Sequence, residues 1–192
     1  MIRSFAILAG ATSILLACGG RQIPREQQQG PTAQMSGSSG DAVSEGRAEI
    51  RNAAGRTLGT LELRDGGSVI LLTGTLRGLP PGSHGLHLHE TGRCEPPFGT
   101  AGGHWNPTQR QHGLQNPNGP HLGDLASLEA SADSVAQVRT STAGGSLRGQ
   151  NGLLDGDGAA VVVHARPDDG KTDPSGNSGD RIACGVVVEP GT

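Results

Sequence analysis

Thr57-Leu58-Gly59-Thr60-Leu61-Glu62-Leu63, the turn Asp65-Gly66-Gly67, and Val69-Ile70-Leu71-Leu72-Thr73-Gly74-Thr75-Leu76 decide the fold class. Apolar side chains recur in both arms with a period near two, the spacing of a half-buried strand, and the Asp-Gly-Gly between them suits a tight turn. Outward from this hairpin, short runs of the same kind lie at residues 48–51, 85–89, 125–129, 134–140, 159–164 and 182–188, divided by Gly, Asp and Pro. Asp155-Gly156-Asp157-Gly158 marks another turn. None of these segments carries a helical period. Eight such strands predict an all-β antiparallel sandwich or barrel. Two stretches break the pattern, residues 90–122 and 166–181, both long and rich in Gly and Pro. Loops of that length in a compact domain are functional or disordered, and metal ligands within them decide toward order.

Composition sets the outer bounds. The 192 residues allow one ordinary domain with a tail. Tyr is absent, and Phe5, Phe98 and Trp105 are the only aromatic residues, too few for a surface of stacked rings. With a formal charge of -3 there is no basic footprint for phosphates, so nucleic acid is not an expected partner.

Met1-Ile2-Arg3-Ser4 followed by the mostly apolar run from Phe5 to Ala17 reads as a secretory signal, too short to span a bilayer comfortably. It ends in Leu15-Leu16-Ala17-Cys18, which resembles a bacterial lipobox, so residues 1–17 are expected to be removed and Cys18 to be acylated. An ordinary cleaved signal with an incidental Cys18 is the alternative. Each buried methylene adds roughly 0.8 kcal/mol, so two or three acyl chains would anchor the chain to a membrane facing the periplasm or cell exterior. Residues 18–44 are rich in Gly, Ser, Gln and Pro and read as a tether of roughly 25 to 30 Å reach, with the domain at 45–192. Three cysteines in an exported chain leave one over. Acylation of Cys18 removes it, and Cys94 and Cys184 are then expected to pair in an oxidising compartment, with two separate buried thiols as the alternative.

Chemistry concentrates in the histidines, six of seven of which lie between His84 and His121. Residues i and i+2 of a strand face the same way, so His87 and His89 present two imidazoles from one face. His104, His112, His121 and Asp124 supply three imidazoles and a carboxylate, the donor types and number of a tetrahedral zinc site. His164, at the end of an apolar strand, adds an imidazole able to complete a nitrogen-rich copper site with the first pair.

Gly85-Leu86-His87-Leu88-His89-Glu90, Ala101-Gly102-Gly103-His104-Trp105-Asn106-Pro107, His121-Leu122-Gly123-Asp124-Leu125 and Gly176-Asn177-Ser178-Gly179-Asp180-Arg181-Ile182-Ala183-Cys184-Gly185 together resemble the copper/zinc superoxide dismutases. The likeness covers roughly residues 46–190, with the motifs in family order. It implies an eight-stranded Greek-key sandwich or barrel with a metal loop and an electrostatic loop; the family is itself a known example of this sandwich. It also implies copper held by His87, His89, His104 and His164, and zinc by His104, His112, His121 and Asp124, with His104 as a bridging imidazolate. In the family mechanism copper oxidises one superoxide to dioxygen and reduces the next to hydrogen peroxide. The bridge opens on reduction, and the freed His104 nitrogen takes up a proton. Asp168 matches the family aspartate that links a copper histidine to a zinc histidine, and Arg181 the arginine that meets the superoxide anion. His84 is expected to be a hydrogen-bonded core histidine.

Loss of the signal removes Arg3 and takes the formal charge from -3 to -4, so attraction of an anion must be local, from Arg181 and Lys171 in a cleft. A non-catalytic copper- or zinc-binding relative, or a metal reservoir, is the rival to a dismutase. Pairing as a homodimer, and a partner for the 95–100 segment, are left open by the strand pattern.

Overall fold

A computed structural model describes residues 45–190; the expectations for the signal, Cys18 and the tether lie outside the described residues. The described residues form nine strands: β1 (Glu45–Asn52), β2 (Thr57–Asp65), β3 (Ile70–Arg77), β4 (Gly82–His84), β5 (Leu86–His89), β6 (Leu128–Ala130), β7 (Val135–Ser141), β8 (Ala160–His164) and β9 (Arg181–Val188). Among the described residues the helical content is one 3-10 turn, Gly99–Ala101. The strands make a single sheet in the order β4-β6-β7-β3-β2-β1-β9-β8-β5, and every pairing is antiparallel. The deciding hairpin is β2 and β3, in register from Leu61 opposite Gly74 to Asp65 opposite Ile70.

The ninth strand is β4. Gly82-Ser83-His84 has no apolar alternation and so gives no strand signal of its own; pairing with β6 recruits it. β4 and β5 stand at opposite ends of the strand order yet are separated in the chain by Gly85 alone. The sheet therefore curls until its edges meet at that residue, which makes it a nearly closed barrel. Gly85 donates to Arg166 O at 2.8 Å and accepts from the His164 N–H at 2.8 Å. A Cβ on Gly85 would stand 2.9 Å from the Ser178 Cβ, so the junction leaves no room for a side chain.

Alternation places Leu61, Leu63, Ile70, Leu72, Leu86, Leu88, Val161 and Val163 in the barrel interior, all fully buried. On β5 and β8 the outer face is buried as well, which explains why Ala160-Val161-Val162-Val163 reads as an unbroken apolar run. There Ala160, Val162 and Cys184 pack under Phe98 and Ala101 of the segment that follows β5. A Cys94–Cys184 disulfide joins that segment to β9 across 90 residues of sequence; in chain entropy removed from the unfolded state, closing such a loop is worth roughly 4 to 5 kcal/mol.

Leu88 fills the interior directly beneath the two β5 histidines. Leu88→Ala is expected to cost about 2 to 5 kcal/mol in equilibrium denaturant unfolding; a loss below about 1 kcal/mol would show that the barrel collapses around the gap.

Candidate metal centre

Strand register begins the site. His87 and His89 face outward from β5, opposite Val162 and Ala160 of β8, and His164 follows Val162 on that face. A register shift at Val163 and His164 sets His164 opposite Arg181 of β9. The long segment after β5 then folds back along it. Leu88 N–H donates to Gly123 O at 2.9 Å, Trp105 N–H to Leu88 O at 2.8 Å, and Gly123 N–H to Trp105 O at 2.8 Å. These three bonds bring Asp124 beside His87 and His104 beside His89.

The result is two donor groups sharing one ring: His87, His89, His104 and His164, and His104, His112, His121 and Asp124, each with its ligand atoms within 4.8 Å of one another. All seven residues are buried.

In the first group each histidine outside the shared ring has one nitrogen fixed and one free. His87 Nε2 donates to Asp168 Oδ2 at 2.6 Å, His89 Nδ1 to Gly102 O at 3.0 Å, and His164 Nδ1 to Gly179 O at 3.1 Å. The remaining atoms, His87 Nδ1, His89 Nε2 and His164 Nε2, are buried without a hydrogen-bond partner. Three orphaned lone pairs in one place cost several kcal/mol unless a cation meets them, and nitrogen-only donors suit copper. Burial pushes His87 down to about 3, against the Asp168 hydrogen bond, and His164 down to about 4. Burial lowers His89 and His104 too, so the group offers neutral rings at pH 7.

The second group gathers on one oxygen. Asp124 Oδ1 lies 2.8 Å from His104 Nδ1, 3.0 Å from His112 Nδ1 and 3.2 Å from His121 Nδ1. Asp124 Oδ2 accepts the backbone N–H of Gly113 at 2.8 Å and of His121 at 3.0 Å, which fixes the carboxylate plane. Burial alone would raise the Asp124 carboxyl; hydrogen bonds from His104, His112 and His121 hold it well below the usual carboxylate range. Three nitrogens and one oxygen match the tetrahedral preference of zinc. With His104 Nδ1 turned to Asp124, its Nε2 is the nitrogen left for the first group.

Asp168 ties the groups together. Its Oδ2 takes His87 and its Oδ1 takes His112 Nε2 at 3.0 Å. Gly176 sits at φ 61 against this carboxylate, and a Cβ there would overlap it. Burial disfavours charge on His112, yet the Asp124 and Asp168 hydrogen bonds outweigh it and carry the ring up to about 9.

A cleft of about 460 Å³ opens beside the shared ring, lined by Glu90, His104, His164, Pro174, Gly179 and Arg181 among others. Arg181 is pinned there: Nη1 donates to Phe98 O and Nη2 to Gly102 O, both at 2.7 Å. Lys171 is exposed and does not line the cleft. His84 places its ring nitrogens 2.8 Å from His164 O and 2.8 Å from Pro80 O, outside both donor groups. The 95–100 segment, left open by the sequence, buries Phe98 against β8 and β9 and supplies one of the carbonyls that hold Arg181. Asp173, which drew no notice in the sequence, accepts the His112 N–H at 2.6 Å and lies 3.8 Å from His121 Nε2.

A barrel carrying a nitrogen-only group and a three-nitrogen, one-carboxylate group joined by one imidazole offers donor sets able to hold two metal ions of different chemistry. Residues 57–187 match the family described as copper/zinc superoxide dismutase (SODC). Copper-zinc superoxide dismutase 2 of Aquifex aeolicus is 41% identical over 144 residues, which span 73% of this chain and 84% of that protein. The extracellular copper-zinc superoxide dismutase of Caenorhabditis elegans is 35% identical over 147 residues, 73% of this chain and 65% of that protein. Among solved structures, a double mutant of a SOD-like protein from Bacillus subtilis superposes with a TM-score of 0.70 at 40% identity, covering 73% of this chain and 95% of that one. The chain belongs to the copper/zinc superoxide dismutase family.

Proposed function

We propose that this chain is an exported copper/zinc superoxide dismutase held at a membrane by lipid on Cys18. The observation that carries the reading is the convergence of the three orphaned nitrogens with His104 beside an arginine that faces an open cleft. His87, His89, His104 and His164 would hold copper, and His104, His112, His121 and Asp124 would hold zinc. Copper, when bound, supplies the one-electron exchange that takes one superoxide to dioxygen and the next, with two protons, to hydrogen peroxide. The chain's own groups do the rest. Arg181 spends two N–H donors on carbonyls and keeps a full positive charge at the cleft, where it attracts and orients a small anion; the family is a known example of such steering. His104 Nε2 is placed to hold a proton and pass it to reduced substrate, while Asp124 fixes its other nitrogen. Asp168, Gly102 O and Gly179 O lock the ring orientations, as partners of metal-binding histidines do.

A metal reservoir with the same fold is the rival, and storage has no use for a guanidinium anchored at the cleft. Loading the protein with both metals and assaying dismutation decides between them: rapid turnover is expected, and negligible turnover at full occupancy would leave the reservoir. Export is supported by the Cys94–Cys184 disulfide and by extracellular relatives. The domain boundaries follow: a signal at 1–17, an acylated tether at 18–44 and the metal-binding domain at 45–192.

His164→Ala should abolish dismutation while metal analysis still finds most of the zinc; retained activity would remove His164 from the copper set. Arg181→Glu is expected to slow the reaction about tenfold or more and to weaken its salt dependence with both metals still bound. An unchanged rate would place Arg181 off the anion's path. Cys18→Ser should shift the protein from the membrane to the soluble fraction on cell fractionation, and unaltered partitioning would end the lipid-anchor reading.

A further inference from the structure

Glu90 directly follows His89 and grips both peptide groups of Gly103. Its backbone N–H donates to Gly103 O at 3.1 Å, and its Oε1 accepts the Gly103 N–H at 3.0 Å. Gly102 sits at φ 77, and a Cβ there would stand 2.9 Å from Glu90 Cγ, so nothing intervenes between the glutamate and this peptide. The Gly102 carbonyl, the other polar end of the peptide unit whose N–H Glu90 accepts, takes hydrogen bonds from both the His89 ring and the Arg181 guanidinium. One carbonyl oxygen therefore fixes a copper-side imidazole and the anion-facing arginine relative to each other.

We propose that Glu90 is a positioning residue of the dismutase centre: its carboxylate sets the Gly102–Gly103 peptide and, through the Gly102 carbonyl, the placement of His89 and Arg181. The inference rests on the function proposed above. It acts by reach and not by charge, because the work is done by one acceptor oxygen at the length of a glutamate side chain. Glutamine offers that oxygen at the same length without the charge. Aspartate keeps the charge but falls one methylene short.

Glu90 is exposed, so neither replacement disturbs the barrel core. In the metal-free protein, Glu90→Asp is expected to speed hydrogen exchange of the Gly103 amide at least tenfold, while Glu90→Gln leaves it within twofold of wild type. In the copper- and zinc-loaded protein, Glu90→Asp should shift the copper(II) electron paramagnetic resonance spectrum and lower dismutation several-fold, and Glu90→Gln should keep the wild-type spectrum. A Glu90→Asp protein matching wild type in exchange and spectrum would overturn the proposal, as would a Glu90→Gln protein as perturbed as Glu90→Asp. Wild-type protein that takes up no copper would instead sink the dismutase reading, and Gly103 exchange in the metal-free protein would still decide the clamp.

Discussion

A buried imidazole has two ring nitrogens, and in this protein the chain itself satisfies only one of them on each of His87, His89 and His164. The satisfied nitrogen is fixed by Asp168, Gly102 O or Gly179 O, which settles the tautomer and the ring plane. The other is left as a buried lone pair without a partner. Unmet, such groups count against folding; met by a cation, they turn from a cost into a source of stability. Much of the surrounding structure serves to hold that imbalance in place.

Burial of these rings requires both faces of β5 to be covered. Leu86 and Leu88 take the barrel side, and the 90–127 segment covers the other by hydrogen bonding Trp105 and Gly123 to Leu88. The same bonds deliver His104 and Asp124, so closing the outer face and assembling the second donor group are one event. Asp168 then reaches over from the segment after β8 to touch a ring of each group. Disturbing either long segment would be felt in both groups.

This division also explains what the sequence discloses. Ligand chemistry resides in side-chain identity, so His87, His89, His104, His112, His121, Asp124 and His164 could be singled out from residue type and spacing, and the fold class from a period of two between turns. β4 left no such trace, because Gly82-Ser83-His84 becomes a strand only through its pairing with β6. Nor could the backbone acceptors be seen: Gly102 and Gly179 orient rings, and Gly102 and Phe98 hold Arg181, through carbonyls, which every residue possesses. Lys171 shows the converse limit, since a cation near the right motif still needs a path to the cleft, and the turn at Asp169 leaves it exposed elsewhere.

The manner in which Arg181 is held follows from the charge of the chain. A carboxylate partner would orient a guanidinium as firmly as a carbonyl does, but it would cancel the charge on which the proposed attraction of an anion depends. Among the described residues Arg181 forms no ion pair, and its two fixed donors go to neutral oxygens. In a domain whose net charge repels anions, uncharged anchors preserve one local source of attraction beside His104 and His164. The disulfide from Cys94 to Cys184 and the burial of Phe98 hold one of those anchoring carbonyls against the barrel. The segment that covers the outer face of β5 thus also supplies the neutral cradle that leaves the charge of Arg181 uncancelled.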